Sequence, residues 1–322
     1  MHGTAGDVGG KLWRRIGGPA VNHGILLAGS LAMLFPFVWM LATSLKPAVE
    51  TMLWPPRLLP IHWTVSNYPT VLDAAPFVRY FLNSVIVSVA ATILVIATSL
   101  LAGFIFGKYE FPGKKLLFLV ILTSAMFPFE TYMIPLYLTM KSLGWINTYQ
   151  GIAAPYMVMS FGIFLMRQHI GHSIPEELLD AARVDGASEL KIFLRLIVPL
   201  CSSPIGALGI LAFIQAWAAF IWPLLMATNR SMYLMELGLS TFQFRYTADY
   251  HLLSAAAILN TVPMLIAFII LRRRIIGLVP LGDHLARGLA GPEPGQRGLL
   301  LEVLCDGVKG FVHGLRVHFH PQ

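Results

Sequence analysis

Charged residues are distributed in this sequence in a way that leaves few options for folding. No Asp, Glu, Lys or Arg occurs in residues 16–45, 80–107, 142–166, 196–229 or 250–271, and a sixth interval, 116–140, is broken only by Glu130. A helix that crosses a bilayer needs about 20 consecutive, mostly apolar residues, and each interval meets that length. The chain has 322 residues, of which 56% are hydrophobic and 12% charged, about half the charged share of soluble domains. An ordinary soluble domain is excluded, and so is a disordered chain, which requires low hydrophobicity and high charge. The sequence predicts an all-α polytopic membrane protein with six transmembrane helices, near 24–45, 81–107, 116–138, 150–167, 200–226 and 254–272. Prolines 36, 128, 155, 223 and 263 fall inside or near these spans, where membrane helices tolerate kinks.

Lys11, Arg14 and Arg15 precede the first span, as in a signal sequence, but its length and the lack of a clear small-residue cleavage site make it an uncleaved anchor. Of the 23 Lys and Arg residues, 17 lie in the N-terminal segment, in 108–115, in 167–199 and after the last span. This asymmetry places both termini in the cytoplasm of a multi-pass plasma- or inner-membrane protein. The net charge of +7 then reports topology, and no nucleic-acid partner is expected. Cys201 and Cys305 support neither a disulfide framework nor a thiolate metal site. The organisation is a cytoplasmic segment 1–23, a membrane domain 24–280 and a flexible tail 281–322. The tail's His313, His318 and His320 lack acidic or Cys partners at ligand spacing, so no metal site is expected.

One inner loop, 172–199, differs from the rest by holding five of the 16 acidic residues: Glu176, Glu177, Asp180, Asp185 and Glu189. Ser173 with Glu176 has capping-box spacing, Pro175 fits a first turn, and the glutamates suit the positive end of a helix. Gly186 permits a turn that branched residues cannot make. Ser188 and Glu189 open a second helix, with Leu190, Phe193, Leu194 and Ile197 on one face and Lys191 and Arg195 on another. Two short helices joined at a glycine can dock into another protein or lie on the membrane surface as an amphipathic connector.

Asp180-Ala181-Ala182, then Gly186, then Leu196-Ile197-Val198-Pro199 resembles the Glu-Ala-Ala signature of permease subunits in binding-protein-dependent ABC importers. Asp replaces the usual Glu. Ala182 to Ala187, Ala-Arg-Val-Asp-Gly-Ala, is similar to the form found in carbohydrate importers. Further stretches agree in order: Phe35-Pro36-Phe37, Ser44-Leu45-Lys46-Pro47, Asn67-Tyr68, Phe81-Leu82-Asn83-Ser84, Phe111-Pro112-Gly113-Lys114, Met126-Phe127-Pro128 and Ile134-Pro135-Leu136. The resemblance covers about residues 24 to 280 and is nearest to the smaller, six-helix permease of maltose-type systems. It implies a second permease subunit, two ATPase subunits and an extracytoplasmic solute-binding protein, all set in membrane lipid. It also implies coupling to the ATPase through Asp180, Ala181, Ala182, Arg183, Asp185, Gly186 and Pro199, with Ala181 and Ala182 packed in the ATPase groove. This chain has no G-x-x-x-x-G-K-[ST] phosphate loop, so no cofactor of its own is expected, and ATP and Mg belong to the partner ATPase. The chain is then a transport subunit and not an enzyme.

Glu130, Gln215, Trp217 and Asn83 are the candidates for the solute pathway. Glu130 either lines the cavity or lies in a wet outer segment next to a break in the third span. Gln215 and Trp217 suit a sugar by hydrogen bonding and ring stacking, although Trp217 also suits packing among helices. Asn83 and Asn260 also fit interhelical hydrogen bonds. The family often has Asn after the tryptophan of the fifth span, and here Ala218 follows Trp217. A secondary transporter or channel is the rival reading, but it would need repeated halves with buried acid, base or unwound sites, and Glu130 is the only charge inside the predicted spans away from their terminal residues. An intramembrane enzyme would require paired catalytic groups at membrane depth, and the spans contain none.

Overall fold

The computed structural model describes residues 18–245 and 249–275. The tail 281–322, with His313, His318, His320 and Cys305, and the basic segment 11–15 lie outside the described residues. Among the described residues every regular element is helical. The main helices in chain order are α1 (Gly18–Ser44), α2 (Asn67–Ala74), α3 (Phe77–Lys108), α4 (Lys114–Ser124), α5 (Phe129–Ser142), α6 (Tyr149–Ala153) and α7 (Ser160–Ser173). There follow α8 (Glu176–Val184), α9 (Glu189–Ile192), α10 (Ser202–Trp217), α11 (Ile221–Met226), α12 (Met235–Arg245) and α13 (Tyr250–Ile275).

By length and composition, α1, α3 and α13 can each cross a membrane unbroken, and there are up to six spans if each of three bent pairs, Lys114–Ser124 with Phe129–Ser142, Tyr149–Tyr156 with Ser160–Ser173 and Glu189–Leu200 with Ser202–Trp217, counts as one. The expected single helix over 116–138 is instead α4 and α5 meeting at 99°. Pro128 accounts for this, because the residue before a proline is driven out of the helical region. The backbone amides of Ala125 and Met126 close α4 with tighter bonds to Leu122 and Thr123. The span expected over 150–167 bends by 52° between Tyr156 and Ser160. The one expected over 200–226 stops at Trp217 and resumes at Ile221. Pro223 has no N–H to give the Ala219 carbonyl one turn earlier, so an unbroken helix there would lose a backbone bond.

Helix α1 rests on α13, α13 on α10, α10 on α3 and α3 on α7. Lipid gives apolar helices no hydrophobic reason to pair, so they associate through close fit and polar bonds. The α3 face is accordingly small and polar, with Ser84, Ser88, Ala91, Ser99 and Gly103 all buried. At Gly103 a Cβ would lie 2.5 Å from Met166 Cβ and 2.9 Å from the Arg167 amide nitrogen. Below this seam Phe104, Met166, Ile170, Leu208 and Ile197 form one cluster with Leu179 and Ile192 of the 174–200 loop. Phe77 and Tyr80, at the other end of α3, form a second cluster with Trp217, Met235 and Ala255.

The loop after α1 is tied down by a side-chain amide. Asn67 Nδ2 donates to the carbonyls of Ser44 (2.7 Å) and Lys46 (2.8 Å), while Ser44 Oγ pairs with the Tyr68 hydroxyl at 2.9 Å. Glu50 accepts the amide hydrogens of Ile61 and His62, each at 2.8 Å. The Ser-Leu-Lys-Pro and Asn-Tyr stretches, separate in sequence, are thus one bonded structure.

Gly103→Ala should lower stability by about 1–3 kcal/mol, the usual result of overpacking a filled seam. Gly29→Ala, where no atom lies within 4 Å, should not lower it, since alanine is the better helix former. Thermal denaturation of the two variants in detergent checks the contrast.

Candidate functional site

The loop between α7 and α10 forms an elbow. Its first helix, α8, begins after Pro175, which is extended at φ −62°, ψ 148° and offers no side-chain cap. The Ser173 capping box is therefore corrected: Ser173 ends α7, and Ile174, placed before a proline, is extended at φ −110°, ψ 112°. Gly186 stands at φ +76°, in the left-handed region that only glycine enters freely. Its amide donates to the Arg183 carbonyl and the Ala187 amide to the Ala182 carbonyl, each at 3.0 Å, a Schellman closure of α8. Ser188 caps α9 by accepting from the Lys191 amide at 3.4 Å. The helix then widens over Phe193–Ile197, where the Val198 amide reaches back five residues to Phe193. Pro199, one residue later, has no N–H for the Arg195 carbonyl. This extra residue per turn breaks the expected face of Leu190, Phe193, Leu194 and Ile197: Ile192 and Ile197 are buried, and Leu190 and Leu194 are exposed.

Charge pairs hold the elbow at its angle. Arg183 donates from Nη1 to Asp180 Oδ1 and from Nε to Glu189 Oε1, each at 2.8 Å. The other oxygen of Glu189 accepts the Tyr109 hydroxyl, whose ring stands edge-on to Phe104 at 5.2 Å. The adjacent Lys108 donates to the Ile174 carbonyl at 2.5 Å. Both halves of the elbow are thereby fastened to the end of α3. Arg183, followed by Tyr109, holds the Glu189 carboxyl below its usual range. Burial, then Glu189, pushes the Tyr109 hydroxyl up. Sequence reasoning missed Tyr109 and Lys108, whose partners lie 80 and 66 residues away.

Leu179 and Ile192 point back into the bundle, each 1% exposed. Ala182 is half-buried against the same cluster, and Ala181 is exposed. Asp185 is the exposed C-cap residue of α8, and Pro199 is exposed. The outward apolar surface comes from Val184, 88% exposed, and Leu190, 67% exposed, on either side of Gly186.

The bends between α4 and α5 and between α6 and α7 border one cavity of about 730 Å³. Its polar lining is Ser124, Thr131, Tyr132, Ser160 and Gln215, with Phe127, Phe129 and Phe161 among them. The Ser124 and Ser160 hydroxyls pair across the two breaks at 3.1 Å. Irregular backbone at membrane depth is tolerated where it lines such a space. Glu130, exposed in the first turn of α5, sits between the lining residues Phe129 and Thr131.

Of the four pathway candidates, Gln215 lines the cavity, Glu130 flanks its lining residues, and Trp217 and Asn83 lie elsewhere. Trp217 is fully buried, with one face stacked on Phe213 at 5.6 Å and its Nε1 donating to Asn260 Oδ1 at 3.2 Å. Its ring is occupied by protein and does not reach the cavity. Asn260 in turn donates to Glu236 Oε2 at 2.7 Å. Asn83 donates to the carbonyls of Ser231 and Tyr233, each at 2.9 Å, and accepts the Tyr149 hydroxyl at 2.7 Å, so its hydrogen-bonding capacity is taken up between helices.

Comparison with known proteins bears on this arrangement. Residues 99–277 match the family described as binding-protein-dependent transport system inner membrane component. The diacetylchitobiose uptake system permease protein NgcG of Streptomyces coelicolor is 31% identical over 82% of this chain and 88% of its own length. The arabinooligosaccharides transport system permease protein AraQ of Halalkalibacterium halodurans is 31% identical over 77% of this chain and 90% of its own. The sn-glycerol-3-phosphate transport system permease protein UgpE of Salmonella typhi is 30% identical over 80% and 95%. In structure, a chain of a bacterial ABC transporter that imports the acidic polysaccharide alginate superposes with a TM-score of 0.71 at 21% identity, covering 85% of this chain and 99% of that one. The matched segment contains the elbow, the Gly103 end of the α3–α7 seam and both cavity-lining breaks, and the chain belongs to the family of inner membrane components of binding-protein-dependent transport systems.

Proposed function

We propose that this chain is the permease subunit of an ABC importer that carries a carbohydrate, or a related polyol or glycerophosphate, into the cytoplasm. ATP is hydrolysed on separate ATPase subunits that hold ATP and Mg and engage the 172–199 loop. A second permease subunit completes the pathway, and an extracytoplasmic solute-binding protein delivers the cargo. Both termini and the elbow face the cytoplasm, in keeping with the excess of basic residues on that side. Relatives named for diacetylchitobiose, arabinooligosaccharides and glycerol 3-phosphate support the cargo class.

The observation that carries this reading is the elbow: an apolar knuckle of Ala181, Val184 and Leu190 on a turn that is stiffened from behind by Arg183, Asp180 and Glu189 and fastened to α3 by Lys108 and Tyr109. Moving a pathway from about 1:99 to 99:1 between two states requires about 5.5 kcal/mol of differential interaction. A compliant loop would absorb that energy in its own bending. Asp180 and Arg183 set the stiffness, Gly186 sets the angle and Asp185 ends α8. Pro199 closes the loop, and Ala181 makes contact with the ATPase while Ala182 seats the elbow on the bundle.

No atom lies within 4 Å of a Cβ built on Gly186, so a substitution there is strained by conformation and not by crowding. Gly186→Val should cost about 1–2 kcal/mol at the turn and uncouple ATP hydrolysis from uptake, leaving the subunit inserted and assembled. Wild-type transport by that variant in proteoliposomes would remove the coupling assignment. Tyr109→Phe keeps the ring against Phe104 and deletes one hydrogen bond to a charged group, worth about 1.5–3 kcal/mol. Its expected result is more ATP hydrolysed per solute moved, read by measuring both rates on the same vesicles.

A further inference from the structure

We infer that the half of the pathway built by this chain selects an uncharged saccharide and discriminates against anionic cargo. The inference rests on the importer reading and narrows its cargo. The cavity of about 730 Å³ is within the roughly 300–1,000 Å³ of small-molecule sites. Its polar groups are three aliphatic hydroxyls, one phenol and one amide. Each of these both donates and accepts hydrogen bonds, which matches sugar hydroxyls and acetamido groups. Among the described residues the Gln215 amide has no hydrogen-bond partner in the chain, and it lines the cavity without being buried. Phe127, 59% exposed, and Phe161, 47% exposed, present ring surface of the kind that takes the C–H face of a pyranose or furanose.

An anion taken from water into this space would need a cation to replace its hydration. No Lys, Arg or His lines the cavity. The nearest formal charge along the lining segments has the opposite effect: Glu130, flanked by the lining residues Phe129 and Thr131, repels phosphate, sulfonate and carboxylate. An acidic polysaccharide is carried by a transporter of the same fold, so the fold leaves cargo charge open and the side chains at the two breaks decide it.

The test uses this chain assembled with its partner permease and ATPase subunits in nanodiscs, without receptor, so that the receptor's own selectivity plays no part. The probes are radiolabelled diacetylchitobiose and arabinotriose, the aldonic acid of each, and sn-glycerol 3-phosphate. At least one neutral probe should bind ten times or more as tightly as its own aldonic acid and as glycerol 3-phosphate. Gln215→Leu should weaken that binding at least tenfold, and Glu130→Gln should strengthen binding of the matched acid severalfold. Acid and parent sugar binding equally, neutral binding unmoved by Gln215→Leu, or no probe binding the wild-type complex would each overturn the inference. Receptor-stimulated ATP hydrolysis by the same complex is measured alongside. Its absence would count against the importer reading itself, whereas its presence with equal binding of acid and parent would count only against the charge selectivity.

Discussion

At Gly103 the backbone of α7 comes so near α3 that a methyl group there would meet Met166. Both functional regions depend on this approach, because α7 belongs to each. Its first residue, Ser160, lines the cavity and pairs with Ser124; its last, Ser173, leads through Ile174 into the elbow. Between those ends Met166 and Ile170 are fully buried in the cluster that also receives Leu179 and Ile192. Without hydrophobic pressure from lipid, contact of this kind and hydrogen bonds are what hold such helices together, so the seam fixes the separation between the cavity and the elbow.

Much of this was legible from composition and spacing, for physical reasons. Charge is costly in a bilayer, so its absence marks the spans, and α1, α3 and α13 lie where the charge-free intervals put them. Gly186 and Ser188 were readable because a left-handed turn and a helix cap each demand a residue type. The breaks were readable only as prolines: Pro128, Pro155 and Pro223 marked weak points, but hydropathy carries no angle, and two helices at 99° average to the same value as one straight helix. Ser173 misled because local capping logic yielded to the proline two residues later. The direction of Ala182 and the register change over Phe193–Ile197 depend on tertiary packing, as does the pairing of Trp217 with Asn260 and Glu236.

One device occurs twice. Asn67 holds the carbonyls of residues 44 and 46, and Asn83 holds those of residues 231 and 233. In each case one amide group spans two carbonyls two positions apart, the first pair at the end of α1 and the second in the short turn before α12. Such carbonyls have no intrahelical partner, and a buried unpaired carbonyl is costly. Supplying both donors from a single side chain satisfies the backbone and fixes the conformation at the same position. This explains why the Asn-Tyr and Asn-Ser stretches stand out from a sequence otherwise dominated by interchangeable apolar residues.

Helix α3 is bonded at both extremities. Arg79 and Asn83 near its start grip Ser231, and Ser84 Oγ accepts the Met235 amide at 2.7 Å. At its finish Lys108 and Tyr109 grip the elbow. This uninterrupted helix of 32 residues is about 48 Å long. It therefore acts as a lever arm: a tilt of only about 5° moves its far tip by about 4 Å at that length. A force applied to the knuckle at Val184 and Leu190 would reach the loop at Ser231 as a displacement of atomic size, and the small residues along the shaft would serve as its bearing.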